Sequence, residues 1–121
     1  MTGVQTCALP ILNGAALVTY DPGNALLYVN DGGNSRVMVF NVATGSIANG
    51  ENASNELGQD DGTFAGNVVY TKSGANDTPN ALGFSNNLGN AAVDAVNHRL
   101  FVTDSGNDRV LVINLDRKSV V

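Results

Sequence analysis

The sequence predicts an all-β fold that contains two copies of one small antiparallel sheet. Short runs rich in Val and Leu alternate with clusters of Gly, Asn and Asp, a composition typical of strands joined by turns. The chain also carries an internal repeat, because residues 21–41 align without gaps on residues 94–114 at an offset of 73. Eleven of these 21 positions are identical. Such a repeat indicates two structural units of the same kind.

Each copy is predicted to form three strands joined by two turns. In the first turn of the first copy, Pro22 presets φ, and Gly23 and Asn24 accept a positive φ. The second turn has the pattern Asp-x-Gly-Asn in both copies. The predicted strands, given for the first copy and then the second, are 17–21 and 90–94, 26–30 and 99–103, and 36–42 and 109–115.

The second turn and the Arg that follows it are interpreted as structural, because a residue that recurs in both copies is expected to do the same task twice. We expect the Asp to accept backbone N–H bonds in an Asx-type turn, the Gly to take a positive φ, and the Arg to pair with a carboxylate of its own or an adjacent sheet. The rival interpretation is a calcium loop, but the pattern lacks the terminal bidentate Glu of a calcium hand. The motif residues are Asp31, Gly33, Asn34, Arg36, Asp104, Gly106, Asn107 and Arg109.

The third strand of each copy is apolar without alternation, at residues 37–40 and 110–113. A sheet with one face in water would alternate apolar and polar residues. Continuous apolarity in so short a strand predicts that both faces are covered, as when small sheets stack face to face. The blades of a β-propeller pack in this way.

The sequence resembles the NHL repeat, in which a short apolar strand ending in Val-Asp precedes Asn-x-x-Leu-Phe-Val-x-Asp-x-Gly-Asn-x-Arg-Val. Residues 91–113 carry this pattern almost throughout, and residues 18–40 match it less well in the first strand. The Glu-Leu-Gly-Gln stretch at 56–59 is similar to the outer-strand segment of bacterial NHL-like propellers. The resemblance covers about two-thirds of residues 12–115 and implies a partial β-propeller of antiparallel blades, not a closed ring.

The resemblance implies blade cores at 17–42 and 90–115, with an outer strand and a long insertion at 43–84. The offset of 73 exceeds the roughly 40–50 residues of a propeller repeat. The excess is interpreted as a long loop, and an undersized extra blade is the alternative. Two blades do not close a ring of about four to eight. We therefore expect two exposed apolar faces, and poor solubility or association when residues 12–115 are expressed alone.

Both ends of the chain are interpreted as sequencing artefacts. Residues 1–11 and 116–121 read as translations of the two ends of a common short-read library adapter. A signal peptide around Cys7 is the alternative, but that segment lacks a basic amino-terminal region.

Since Cys7 is the only cysteine, an internal disulfide and a multi-cysteine zinc site are excluded. The remaining residues 12–115 carry four basic and ten acidic side chains, a formal charge of −6.

No catalytic, cofactor-binding or metal-ligating residue is predicted. His98 is replaced by Ala25 in the other copy and is formally a candidate general base. It has no cysteine or second histidine as a partner, so it is interpreted as a solvated turn residue.

The insertion contains acidic residues that do not recur in the repeat. Asp60, Asp61, Gly62 and Asp77 form isolated acidic loops, which are interpreted as solvated, with cation binding as the alternative. Two glycosylation sequons begin at residues 52 and 76 and matter only in a eukaryotic secretory host.

The function expected is that of a non-catalytic binding or scaffolding propeller from a bacterial, metagenomic source, outside the cell or at its surface. Its loops would bind a protein, small-molecule or glycan ligand, and further blades of the same chain would be its other partners. The alternative is a metal-dependent hydrolase or lyase with ligands drawn from several blades. RNA binding is disfavoured because phosphate recognition needs a basic surface. No cofactor is predicted, and no apolar run reaches the ~20 residues of a membrane-spanning helix.

Overall fold

The computed structural model of the protein describes residues 12–59 and 83–116 and a two-residue strand at 119–120. It contains two four-stranded antiparallel sheets, each with its strands in chain order. The all-β prediction is confirmed, and the described strands form two open sheets. Sheet 1 holds β1 (Ala15–Asp21), β2 (Leu26–Asp31), β3 (Arg36–Asn41) and β4 (Asn55–Leu57), and sheet 2 holds β5 (Leu88–Asp94), β6 (Arg99–Asp104), β7 (Arg109–Asn114) and β8 (Ser119–Val120).

The six predicted repeat strands are confirmed, and every end lies within two residues of its predicted position. The outer strand expected at 56–59 is confirmed for Glu56 and Leu57, which pair with Met38 and Val37 of β3. The chain leaves this strand at Gly58, where φ is +98°. The predictions for residues 1–11, for residues 117, 118 and 121, and for the part of the insertion at 60–82 lie outside the described residues.

The two faces of each sheet are defined by the strand register. In sheet 1 the front face carries Tyr28, Val37 and Val39, because Tyr28 pairs with Val39 across β2 and β3. The equivalent positions on the front face of sheet 2 are Phe101, Val110 and Val112. The back faces carry Leu27, Val29, Met38 and Phe40 in sheet 1, and Leu100, Val102, Leu111 and Ile113 in sheet 2.

The main core lies between the front face of sheet 1 and the back face of sheet 2. Tyr28, Val37 and Val39 form one buried cluster with the four back-face residues of sheet 2. Phe84 joins the same cluster from the segment that precedes β5. The back face of sheet 1 has its own smaller cluster, in which Val29 and Met38 pack with Ala53. The two sheets therefore stack in one direction, front to back.

The prediction that both faces are covered is confirmed for β3, whereas β7 has one covered face and one exposed apolar face, as expected for a piece of two blades. Val37, Met38 and Val39 are all buried, although they alternate between the two faces of sheet 1. In β7, Leu111 and Ile113 are buried, whereas Val110 is 57% exposed. The difference arises because the back face of sheet 2 lies in the core between the sheets and its front face carries Val110.

Both predictions about positive φ in the turns are wrong. In the first turn the left-handed residue is Ala25 in one copy and His98 in the other, at φ of 52° and 51°. In the second turn it is Ser35 or Asp108, at φ of 55° and 51°. Each second turn is a single 3-10 turn, at 32–34 or 105–107, so its glycine has an ordinary negative φ. The backbone of the turns repeats at the offset of 73, but the strained position differs from the one expected.

Candidate functional site

The recurring Asp, Asn and Arg side chains form the same hydrogen-bonded cluster in both sheets. In sheet 1, Asp31 Oδ2 accepts from Arg36 Nε at 2.7 Å and from Asn34 Nδ2 at 2.9 Å. In sheet 2, Asp104 Oδ2 accepts from Arg109 Nε at 2.8 Å and from Asn107 Nδ2 at 2.9 Å. Each cluster joins the end of one strand to the start of the next, so it closes the hairpin around the turn.

The other oxygen of each Asp binds a distant segment and not its own turn, contrary to the Asx-turn prediction. Asp31 Oδ1 accepts from the backbone N–H of Asn13 at 2.6 Å. Asp104 Oδ1 accepts from the backbone N–H of Ser85 at 2.9 Å and from its hydroxyl at 2.6 Å. The carboxylate therefore fixes the chain that enters the first strand. An Asx-type bond occurs instead in the first turn, where Gly23 N donates to Asp21 Oδ1 at 2.9 Å.

The glycine of the motif is required by close approach of the same segment. A Cβ on Gly33 would lie 2.6 Å from both Cγ and the backbone O of Asn13. A Cβ on Gly106 would lie 2.5 Å from the Ser85 hydroxyl. Gly33 N also donates to the Asn13 carbonyl at 2.8 Å, which holds the two backbones together. The glycine is thus needed for space rather than for φ.

The two clusters differ in their electrostatics. In sheet 1, Arg36 also donates through Nη1 to Glu56 Oε2 at 3.0 Å, and the three charged side chains are almost fully buried. Burial raises the pKa of Glu56 to about 7 in spite of the opposing effect of Arg36. In sheet 2, burial of Asp104 opposes its ionisation, but hydrogen bonds from Ser85, Asn107 and Arg109 outweigh it and hold the pKa of Asp104 below its usual range.

His98 lies in the first turn of sheet 2 and is about half exposed. Its Nδ1 is 2.8 Å from Asp116 Oδ1, and this contact raises the pKa of His98 above its ordinary value. The partner Asp116 is one of the residues assigned above to the adapter. In the first copy Ala25 occupies the same left-handed position.

A cavity of about 280 Å³ opens between the two sheets. It is built where the first turn of sheet 1, the segment entering β4 and the residues after β7 come together. Such a mixture of apolar walls and a few convergent polar groups is typical of small-molecule sites, although those usually begin near 300 Å³. Its apolar lining is Leu26, Val39, Leu57 and Leu115, and its polar lining is Asn24, Tyr28, Ser54, Asn55 and Asp116.

The polar groups of the cavity are held by backbone contacts. The Ser54 hydroxyl donates to the Val39 carbonyl at 3.0 Å, and the Asn55 side chain accepts from the N–H of Glu56 at 2.8 Å. Burial, and then the carboxylate of Asp21, raises the pKa of Tyr28 to about 12. The phenol therefore stays protonated at physiological pH and keeps its capacity to donate a hydrogen bond.

The remaining predicted residues do not assemble into a further site. Asp60, Asp61, Gly62, Asp77 and the sequon at 76 lie outside the described residues, and the sequon at 52 leads into the cavity lining. Within residues 12–59 and 83–116, no three His, Cys, Asp or Glu side chains lie close enough to hold a metal ion. The helical turns in the described part of the chain are too short to cross a membrane.

The sequence did not indicate the roles of Phe84 in the core, of Glu56 in the ion pair with Arg36, or of Tyr28 in the cavity lining. Phe84 packs against Gly58, where a Cβ would collide with its ring. Glu56 and Tyr28 were noted only as strand residues, because their importance comes from contacts between distant segments.

No protein-family model matches the chain, and no curated protein matches it at a significant level.

Proposed function

We propose that this chain is part of an NHL-type β-propeller that binds a ligand without catalysing a reaction. The observation that carries the proposal is the repeated Asp–Asn–Arg cluster, together with the front-to-back stacking of two like sheets. The charged and amide side chains that recur are used to close hairpins and to fix the entering strand. A rigid frame of this kind is suited to presenting loops for recognition.

The cavity between the sheets is the proposed binding site, and its ligand is a small, neutral, hydroxylated molecule such as a sugar unit. Its walls offer apolar surface from Leu26 and Leu57, and its polar groups are an uncharged phenol, a hydroxyl, two amides and the carboxylate of Asp116. Such groups exchange hydrogen bonds with the hydroxyls of a sugar. The volume of about 280 Å³ limits the ligand to about one ring.

The binding test is saturation-transfer NMR with a panel of neutral hexoses and N-acetylhexosamines. Tyr28→Phe keeps the ring and removes the hydroxyl, so we expect about fivefold weaker binding from one lost hydrogen bond. Tyr20→Phe is the matched control, because Tyr20 is exposed on the back face of sheet 1, outside the cavity lining. Binding that is absent across the panel, or equally weakened by both variants, would overturn the assignment of this cavity.

The propeller proposal has a separate test in the source DNA. Amplifying and sequencing the locus outward from codons 12 and 115 is expected to replace the adapter codons with further copies of the blade pattern. If the genome encodes residues 1–11 and 116–121 as they stand, the adapter assignment is wrong. If the reads continue without the blade pattern, the propeller proposal fails.

A further inference from the structure

The chain contains two Asn-Gly dipeptides, which the fold holds in different ways. They lie at residues 13–14 and 49–50, and no other Asn in the sequence is followed by Gly. Because glycine has no Cβ, its backbone nitrogen can approach the side-chain amide of the preceding Asn. Both pairs are exposed, and φ is +69° at Gly14 and +70° at Gly50. Exposure and glycine conformation therefore do not distinguish the two sites.

The pair at 49–50 occupies the middle of an exposed turn in the loop between β3 and β4. The turn is closed at its ends, where Glu51 N donates to the Ala48 carbonyl at 3.2 Å and Ala48 N donates to Glu51 Oε2 at 2.9 Å. Neither bond uses the peptide that joins Asn49 to Gly50. This central peptide can rotate while the ends of the turn stay in place, because glycine accepts φ of either sign.

The pair at 13–14 is instead tied to the second turn of sheet 1. Asn13 N donates to Asp31 Oδ1 at 2.6 Å, and the Asn13 carbonyl accepts from Gly33 N at 2.8 Å. The Asn13 side chain also lies against Gly33, where a Cβ would be 2.7 Å from its Nδ2. Rotation of the peptide between Asn13 and Gly14 would break the bond from Gly33, so the fold holds this peptide in one orientation.

We propose that Asn49 is a self-modification site, at which the folded chain converts a side-chain amide into a carboxylate. The Gly50 nitrogen gives up its proton to solvent and forms a bond to Asn49 Cγ. The C–N bond of the side-chain amide breaks, and ammonia leaves after its nitrogen takes a proton from solvent. Water then opens the resulting cyclic imide at either carbonyl, which gives aspartate or isoaspartate. The attack is intramolecular, and water is the only other reactant.

The modification changes both the charge and the path of the loop. A carboxylate at position 49 is two residues from Glu51, whose own carboxylate accepts from Ala48 N. Repulsion between the two like charges is expected to loosen this turn. In the isoaspartate product the main chain runs through the former side chain and gains a methylene. This inference goes beyond the proposed ligand binding and does not depend on it.

The test compares the two Asn-Gly sites within the full chain, incubated in mildly alkaline heavy-oxygen water with and without urea. Peptide mass spectrometry, after digestion in ordinary water, measures the labelled oxygen and the isoaspartate gained at each site. In the folded chain we expect Asn13 to react about tenfold more slowly than Asn49, because its peptide must first break a hydrogen bond. In urea neither site is held by the fold, so the two rates are expected to converge.

Asn49→Gln is expected to abolish labelling at position 49, because the ring that a Gln side chain would close is larger and forms more slowly. Asn52→Gln is the matched control, since Asn52 lies in the same loop but is followed by Ala53, and it is expected to leave labelling at Asn49 unchanged. Equal rates at Asn13 and Asn49 in the folded chain would overturn the inference. Labelling of Asn49 that occurs only in urea would overturn it as well.

Discussion

Arg36 Nε lies 2.7 Å from Asp31 Oδ2, and the same bond recurs between Arg109 and Asp104 at 2.8 Å. The two pairs share their geometry but not their surroundings. The Arg36 side chain is 5% exposed and also binds Glu56, whereas the Arg109 side chain is 20% exposed and donates to the Gly83 carbonyl. One repeated motif therefore has two different energetic roles.

Arg36→Gln is expected to destabilise the protein more than Arg109→Gln. Loss of Arg36 leaves two buried carboxylates without their cation, which typically costs about 3–5 kcal/mol. Loss of Arg109 leaves Asp104 with its bonds from Ser85 and Asn107, so a cost of about 1–3 kcal/mol is expected. Urea unfolding of both variants measures the difference. Equal losses of unfolding free energy in the two variants would show that the ion pair with Glu56 does not make Arg36 more important for stability than Arg109.

Glu56 is expected to make the protein less stable as the pH rises from about 5 to about 8. Burial raises the pKa of Glu56 to about 7, above its value of 4.5 in the unfolded chain. An acid whose pKa is raised by folding stabilises the folded state while it is protonated. Its contribution is therefore complete below about pH 4.5 and is lost as the pH rises through 7. The loss is up to about 3 kcal/mol.

The measurement is the free energy of unfolding at about pH 5 and about pH 8 for the unmodified chain and Glu56→Gln. Glu56→Gln is expected to flatten the pH dependence, leaving the smaller part due to His98, whose raised pKa acts in the same direction. Glu51→Gln, on the loop at 47–51, is the matched control and is expected to retain the full slope. A slope unchanged by Glu56→Gln would show that this carboxyl is ionised in the folded protein throughout the range.

The strands were predictable from sequence and the turn geometry was not, for a physical reason that Gly33 illustrates. Apolar runs and the repeat are local signals, so they located the strands of both copies. The need for glycine at position 33 comes from Asn13, twenty residues earlier in the chain. Local reasoning assigned that glycine to a positive φ, while the left-handed residue is Ser35.

The cavity between the sheets could not be predicted at all. It joins Tyr28, Asn55 and Leu115, which are far apart in the chain. The repeat gives no indication of it either, because the cavity arises between two copies and not within one. Sequence could identify the residues that hold each sheet, but not the space that stacking creates.

Gly33→Ala is expected to be more destabilising than Gly32→Ala, although the two glycines are neighbours. A Cβ at 33 meets the Asn13 backbone at 2.6 Å, and the entering segment must move away, at a cost of about 1–3 kcal/mol. A Cβ at 32 has no heavy atom nearer than 3.7 Å, an ordinary contact. Thermal unfolding of the two variants distinguishes close approach from a general effect of alanine in this turn. A Gly32→Ala variant as unstable as Gly33→Ala would contradict the steric argument.

Ala25→Gly is expected to stabilise the protein, which is unusual for the introduction of a glycine. Ala25 has φ of 52°, where an L-residue with a Cβ is strained by roughly 1–2 kcal/mol. Glycine removes that strain, but its greater conformational entropy in the unfolded chain costs about 0.5–1 kcal/mol of stability. The free energy of unfolding is therefore expected to rise by about 0.5 kcal/mol. Ala92→Gly is the matched control, because Ala92 is exposed within β5, where glycine brings only the entropic loss. Opposite signs for the two variants in urea unfolding confirm that the first turn is strained. A loss of stability in both would show that the left-handed conformation at position 25 is not a source of strain.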